Sequence, residues 1–327
     1  MNTRLFVVLV SAFSSPALMA AQSGNWQPGF SGEVSLLTGY SQSKSQFNAD
    51  YKQTDALDSA SKRKSKALFM PLFSLQYTLN EGDSQFYVGS DRADVALGRF
   101  HTEIGYRQSL QENGVISASI IPGVIPNKTW QDPFVTGQKR KETDTYIQAL
   151  RFQFTNIMNS GFSLEVAGGK QKLDKERSGQ SDFDTSTQKQ LNREGNVYLV
   201  EGAYRFPVSR TLFVRTGLNH TRLSADGDAM SYQANALELG LFTRWQQSSM
   251  AFNLSYQVSQ HDKTSPVFAK KQKDHEWGAF LAYSYAEPFG WNNWELVSLS
   301  GYSRKNSNID FYDEDSLMVS VGMTYKF

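Results

Sequence analysis

The sequence predicts an all-β fold: a transmembrane antiparallel up-and-down β-barrel of about fourteen strands, within a range of twelve to sixteen. Three observations predict it. Apolar and polar residues alternate along short segments from end to end, as in residues 317–327, where Leu317, Val319, Val321, Met323, Tyr325 and Phe327 alternate with Met318, Ser320, Gly322, Thr324 and Lys326. A side-chain period of two gives each such segment one apolar face, and about ten residues suffice to cross a bilayer as a tilted strand. The connectors between segments are alternately tight and long. Aromatic rings are abundant, with 22 Phe, 15 Tyr and 6 Trp in 327 residues, and membrane barrels place such rings as girdles at the lipid boundary.

The strands follow in order. Residues 29–40 set Phe30, Val34, Leu36 and Tyr40 against Ser31, Glu33 and Ser35. Residues 67–79 set Phe69, Phe73, Leu75, Tyr77 and Leu79 against Ser74, Gln76 and Thr78. Residues 85–90 form a short third strand, and 95–110 a fourth with Phe100, Ile104, Tyr106 and Leu110 opposite Arg99, His101, Glu103 and Arg107. Residues 115–122 are the fifth. In 145–156, Leu150, Phe152 and Phe154 oppose Arg151 and Gln153, and in 162–170, Phe162, Leu164 and Val166 oppose Ser163 and Glu165.

The second half repeats the scheme. Residues 196–206 place Tyr198, Val200, Tyr204 and Phe206 against Glu201 and Arg205, and 211–222 place Leu212, Val214 and Leu218 against Arg215 and Asn219. Residues 232–244 carry Leu237, Leu239 and Leu241 around Glu238, and 250–259 pair Phe252, Leu254, Tyr256 and Val258 with Asn253, Ser255 and Gln257. Residues 275–285 show Trp277, Ala279, Leu281, Tyr283 and Tyr285; 294–304 alternate least cleanly, with Leu296 and Val297 on opposite faces. The terminal segment completes fourteen.

Connectors 80–83, 111–114, 158–161, 207–210 and 246–249 are tight, with Gly, Asn or Pro in hairpin-turn roles. Those at 41–66, 123–144, 171–195, 261–274 and 305–315 are long and polar. Short turns at one end and long loops at the other are the outer-membrane arrangement, and an even strand count returns both termini to the periplasm. Closure also removes the two exposed edges that an open sheet would leave.

The chain's beginning agrees with export. Arg4, the apolar run from Leu5 to Val10 with Phe13, Pro16, and the small Ala20 and Ala21 form a secretory leader, so 1–21 is expected to be a signal peptide and 22–327 one outer-membrane barrel domain. The mean hydropathy of −0.47 and 20% charged residues do not oppose a barrel, because half of each strand faces water. With 0 Cys, disulfides, thiolate metal sites and thiol nucleophiles are excluded. A net charge of +1 provides no basic stripe for nucleic acid.

Several segments resemble an uncharacterised family of Gram-negative exported proteins, domain of unknown function 2860: GFSGEVSLLTGY at 29–40, DKERSG at 174–179, DGDAMSY at 226–232, EWGAFLAYSY at 276–285, PFGWNNWELV at 288–297 and SNIDFYDED at 307–315. The resemblance covers the whole mature chain and implies outer-membrane residence, with no activity to carry over. Tyr325 and the terminal Phe327 resemble the signal by which the outer-membrane assembly machinery recognises barrels.

No constellation points to catalysis or a cofactor. His101, His220, His261 and His275 are followed two residues on by Glu103, Arg222, Lys263 and Trp277, so the His-x-Ser pattern of barrel lipid hydrolases is missing, and none has Asp two residues before it. The acidic tips at Asp226 and Asp228 and at 306–315 lack the spacing of a calcium loop. No metal site is expected.

The inward charges carry the functional reading. Arg99, Glu103, Arg107, Arg151, Glu165, Glu201, Arg205, Arg215, Glu238 and Lys326 fall on the polar strand faces. At mid-depth in hydrocarbon an Arg or Lys would cost roughly 2 to 4 kcal/mol, so these groups must face a wet or paired interior. Two arrangements satisfy that: a water-filled pore lined by them, or a salt-bridge lattice that stiffens the barrel. Fourteen strands lie towards the size that leaves an aqueous channel, which favours a porin-like barrel for passive diffusion of small hydrophilic solutes. The alternative is a non-conducting barrel with a binding, adhesion or envelope-structural role through its loops; a soluble exported sandwich is a third. Trp130, in a long connector beside Pro126 and Pro133, is the candidate for stacking on an extracellular sugar. Lys62, Arg63, Lys64 and Lys66 suit anionic lipopolysaccharide or an anionic solute. The expected partners are lipid, lipopolysaccharide, the assembly machinery and a small solute.

Overall fold

Hydrogen-bonded ladders join the strands into one ring. The computed structural model describes residues 26–58 and 61–327; the expected leader, 1–21, lies outside the described residues. Fifteen strands are ordered β1 (Gly29–Lys44), β2 (Arg63–Thr78), β3 (Ser84–Gly89), β4 (Glu103–Ser109), β5 (Val115–Ile121), β6 (Asn127–Trp130), β7 (Glu142–Thr155) and β8 (Phe162–Leu173), followed by β9 (Gly195–Pro207), β10 (Leu212–Ala225), β11 (Tyr232–Trp245), β12 (Ser248–Thr264), β13 (Lys271–Ala286), β14 (Trp294–Ser307) and β15 (Glu314–Lys326). Each pairs antiparallel with its neighbour, and β1 closes the ring on β15 from Glu33↔Lys326 to Lys44↔Asp315. Strands β5 and β6 both pair with β7, at Ile121↔Ala149 and Asn127↔Thr145. They are two pieces of one barrel strand, and the fold is a closed antiparallel barrel of 14 strands.

The alternation read from the sequence divides outside from inside. On β12, Leu254 is 42% exposed while the adjacent Asn253 is 6% exposed and inward. Aromatic rings crowd the tight-turn end of the outer face: Trp291 lies 6.3 Å from Trp294, Trp294 5.2 Å from Tyr325, and Phe30 5.8 Å from Phe327. If lipid meets this face, Leu254→Arg is expected to lower stability by about 2–4 kcal/mol in urea titrations of barrels refolded into vesicles, with a much smaller loss for Asn253→Arg. Equal losses at the two sites would contradict the assigned faces.

The fourth expected strand needs correction. Of residues 95–110, only Glu103–Ser109 is extended; the first part belongs to an inward excursion, 90–102, that opens with helix α1 (Arg92–Ala96). The Asp91 side chain accepts from the Ala93 N–H at 2.8 Å, the N-cap geometry that starts such a turn. The alternation of Val95, Leu97, Arg99 and His101 is compatible with a strand, but these apolar and charged groups find partners on opposite walls of the lumen instead. The expected connector 123–144 contains β6. Connectors 41–66 and 261–274 shrink to 45–62 and 265–270, because β1, β2, β12 and β13 continue past the apolar belt as ladders needing only backbone pairing.

Among the described residues three apolar clusters occupy the inside, the smallest joining Leu97 to Phe242 and Ala251. On the wall formed by β1, β2, β13 and β14, Leu37, Leu68, Met70, Phe280 and Leu299 are buried, and Val95 and Phe100 of the excursion pack on them. At the loop end, buried Phe134, Leu191, Ile309, Phe311 and Tyr312 pack with Phe47, Leu57, Phe183, Met230, Val267 and Phe268. All the long outside loops contribute, including 174–194 with its short helix α2 (Thr185–Gln190). Phe134 and Phe311, from loops on opposite sides of the ring, stack with centroids 5.6 Å apart, which places this cluster over the barrel axis.

Candidate functional site

The excursion 90–102 crosses the lumen and is tied at both ends. At the tight-turn end, Arg92 pairs with Glu33 at 3.1 Å and with Glu295, which also receives Lys326 at 2.8 Å. Val95 and Phe100 face the β1, β2, β13 wall and Leu97 packs with Phe242 of β11 and Ala251 of β12, while Asp94, Arg99 and His101 meet charged groups on β4, β7, β9 and β11. Gly98, with φ +84°, lies against the Phe280 ring, where a Cβ would come within 2.9 Å of it; glycine meets both the turn and the close approach.

The charged half forms a lattice of two groups, one around Arg151 and one around Arg99 and Arg215. Arg151 grips Glu165 with Nε and Nη2, both at 3.0 Å, and reaches Asp94 at 2.8 Å and Glu103 at 3.3 Å through Nη1. Ser119 donates to Glu103 at 2.6 Å. Arg99 Nη2 donates to both oxygens of Glu238, at 2.7 and 2.9 Å, and lies 3.9 Å from Glu201. Arg215 joins the same two carboxylates, bonding Glu201 and lying 3.4 Å from Glu238. Arg99, Glu103, Arg151, Glu165, Glu201, Arg215 and Glu238 are each no more than 3% exposed. Burial makes each pair costly to desolvate and costlier to break, so such a lattice contributes more to fixing the position of the excursion than to net stability.

The structure thus brings seven of the ten inward charges together. Lys326 belongs to the Glu295 group. Arg107 stands apart, 5.2 Å from the Trp26 and Tyr87 rings and 3.8 Å from Asp91, and Arg205 lies over Phe213 at 5.4 Å. Sequence reasoning missed Arg92, Asp94 and Glu295. The Asp91 cap followed by Arg-Ala-Asp-Val-Ala was the available signal, a helix start within a segment whose alternation read as strand. Asp94, His101 and Glu103 offer ligand atoms within 4.8 Å of one another. The Arg151 guanidinium already sits between the Asp94 and Glu103 oxygens that a cation would bridge.

Trp130 is not an exposed platform. It is 0% exposed, its indole N–H donates to the Gln46 carbonyl at 2.8 Å, and the Arg140 guanidinium covers its face at 4.7 Å. Arg140 also donates to the Gln46 and Tyr51 carbonyls, so the ring and the cation together pin loop 45–62 to loop 131–141. The dryness of this cap pushes the Tyr312 phenol above its ordinary pKa and the Arg140 guanidinium down to about 10. In the basic cluster, Arg63 pairs with Asp315 at 3.3 Å and Lys66 with Asp50 at 3.4 Å, while Lys62 and Lys64 are exposed.

A cavity lies on each side of the excursion. One of about 120 Å³, towards the loop end, is bordered by Leu97–Phe100 and by Ser41, Ser43, Asn253, Ser255 and Ser303. The other, about 140 Å³, lies towards the turns, bordered by Arg92, Val95 and Ala96 and by Ser35, Thr211, Thr243, Ser284 and Thr324. Both linings set these small hydroxyl side chains among apolar ones, Leu68, Phe280 and Met318 in the first and Leu37, Phe242 and Leu299 in the second.

A model of the family described as protein of unknown function (DUF2860) matches residues 29–326. No curated protein matches the chain. Among solved structures, the outer membrane channel DcaP of Acinetobacter baumannii is similar at 10% identity, covering 97% of this chain and 100% of its own, with a TM-score of 0.45. Pseudomonas aeruginosa OpdQ matches at 9% identity over 91% and 98%, TM-score 0.40, and an anion-selective porin from Comamonas acidovorans at 12% over 91% and 98%, TM-score 0.40. These superpositions are loose, and the barrel is established by its own closed ladder.

Proposed function

The chain belongs to the family described as protein of unknown function (DUF2860), and from that premise we propose a porin-like channel of the outer membrane for small hydrophilic solutes, held closed at two levels. The single observation that carries this reading is the placement of two hydroxyl-bearing cavities on opposite faces of one segment, 90–102. Moving that segment would join them into one path along the axis. The apolar loop cluster forms the second closure. Lipid surrounds the outer face in this reading, and Tyr325 and Phe327 serve recognition by the assembly machinery.

The rival, a non-conducting barrel, is favoured by the same lattice, since seven buried, mutually paired charges hold the excursion in place. Planar-bilayer recording separates the two. Wild-type barrels are expected to show rare, small steps, and barrels with residues 91–99 replaced by a Gly-Ser linker should show frequent steps at least several-fold larger. Silence from the linker variant, with normal heat-modifiable mobility on a detergent gel, would leave the non-conducting reading in place and remove the channel.

A further inference from the structure

The barrel wall is incomplete on one side, and an apolar cavity adjoins the gap along its 121–125 border. Strands β3, β4 and β5 have only 6, 7 and 7 residues, too few for the roughly 9–11 that cross the hydrocarbon. Strand β2 pairs with β3 only from Ser74 to Thr78, and its last rung on that side is the Ser90 N–H to the Phe73 carbonyl at 2.8 Å. Backbone groups alternate sides along a strand, so those of Pro71, Phe69 and Ala67 point the same way, into the gap. Pro71 has no N–H to leave unpaired there, the placement expected of proline at a sheet edge.

The opposite border is also proline-made. Between β5 and β6 runs Pro122-Gly-Val-Ile-Pro126, where two missing N–H groups interrupt the ladder and leave Tyr146, Ile147 and Gln148 of β7 without strand partners on that side. Gly123 has φ +68° and a Cβ there would lie 2.8 Å from the Ile147 carbonyl. The loop end of the gap is bridged by loop 45–62, through Arg140 N–H to the Lys52 carbonyl at 2.8 Å and Gly137 N–H to the Thr54 carbonyl at 2.9 Å. The result is a window bounded on all four sides. Outward Phe69, Phe73, Ile120 and Leu150 around it are 40–54% exposed, which sets it at the height of the apolar belt.

Along the 121–125 border lies a cavity of about 90 Å³ formed by Phe100, Ile121, Val124, Ile147, Ala167 and Leu199, with Arg99 in its lining. Arg99 is 3% exposed, and its Nε and Nη1 have no hydrogen-bond partner although Nη2 is held by Glu238. Open strand edges are not tolerated against lipid unless they face protein or a cavity, and a buried donor without an acceptor costs free energy. The second requirement is met by an occupant that brings an acceptor to Arg99.

We propose that the window admits a small apolar molecule bearing one uncharged acceptor oxygen from the bilayer, and that its oxygen takes the free Arg99 N–H groups. The Arg99 charge is already matched by Glu238 and Glu201, so a carboxylate head would add net negative charge to the lattice. A lipid acyl chain ends in a methyl group and leaves the N–H groups unpaired. The site shares Arg99 and Phe100 with the border of the axial cavity towards the loop end, and it stands whether or not the barrel conducts.

The test uses the intact barrel in lipid nanodiscs and 4-fluoroacetophenone as a ¹⁹F probe, compared with 1-ethyl-4-fluorobenzene, which has the same shape without the carbonyl. The ketone is expected to bind saturably above empty nanodiscs and at least tenfold more tightly than the hydrocarbon. Ala167→Phe and Ala149→Leu, which fill the cavity, should each weaken ketone binding at least tenfold, with heat-modifiable mobility confirming the fold. No saturable binding, equal affinity for the two probes, undiminished binding in folded filled variants, or a stoichiometric lipid recovered by mass spectrometry and displaced by Ala167→Phe would each overturn the proposal. A barrel that conducts but binds no ketone defeats this inference alone, and one that binds it but stays silent after the linker replacement defeats the channel reading alone.

Discussion

Arg151→Met is expected to destabilise the barrel by about 3–5 kcal/mol, because it leaves Asp94, Glu103 and Glu165 buried without the cation they share. The denaturant midpoint for vesicle-refolded protein should fall accordingly. The excursion should also loosen, since Asp94 is its tie to β7. The chain has 0 Cys, so Leu97→Cys reports this loosening with a single thiol: its reaction with a water-soluble maleimide should speed up at least tenfold in the Arg151→Met background. Adding Glu165→Met should recover part of the stability, because removing both members of a buried pair is far less costly than removing one. An unchanged midpoint together with unchanged labelling would show that the lattice does not hold the segment.

Phe311→Ala should open the loop end while sparing the barrel. Phe311 is 1% exposed, stacks on Phe134 at 5.6 Å and meets Phe47, Phe268 and Tyr312 at 5.7, 5.2 and 5.2 Å. Truncating a buried Phe costs about 3–5 kcal/mol, and here the loss falls on the loops that share the cluster, since no ladder passes through them. Limited proteolysis of intact vesicles should therefore cut loops 131–141 and 308–313 many times faster, while the gel mobility of the folded barrel is retained. Local opening of this kind is the behaviour of segments held by side chains alone. Cleavage at the wild-type rate would mean that the aromatic cluster is not what holds the cap.

Much of the fold was legible because a strand in a barrel reports its surroundings one residue at a time. Val34, Leu36, Leu254 and Val321 alternate with Ser35, Asn253 and Ser320 for the same reason that they divide the outer face from the lumen. The extensions of β1, β2, β12 and β13 beyond the belt were not legible, since both faces there meet water and the alternation fades. For the inward charges, the sequence assigned the side of the wall but not the partner. Arg151, Glu165 and Glu103 share a face by periodicity; that Asp94 completes them depends on a segment 57 residues away from Arg151 in the chain turning inward.

The sequence by itself determined a strand-built, cysteine-free barrel with tight turns at one end, because period-two patterning and turn chemistry act over a few residues and depend only on solvent. Tertiary structure alone decided that 90–102 crosses the bore, that six loops seal its end and that β3–β5 stop before spanning the belt. Those outcomes depend on which wall offers Phe280 and which offers Arg151, and such choices are made across the lumen, between residues that no local pattern connects.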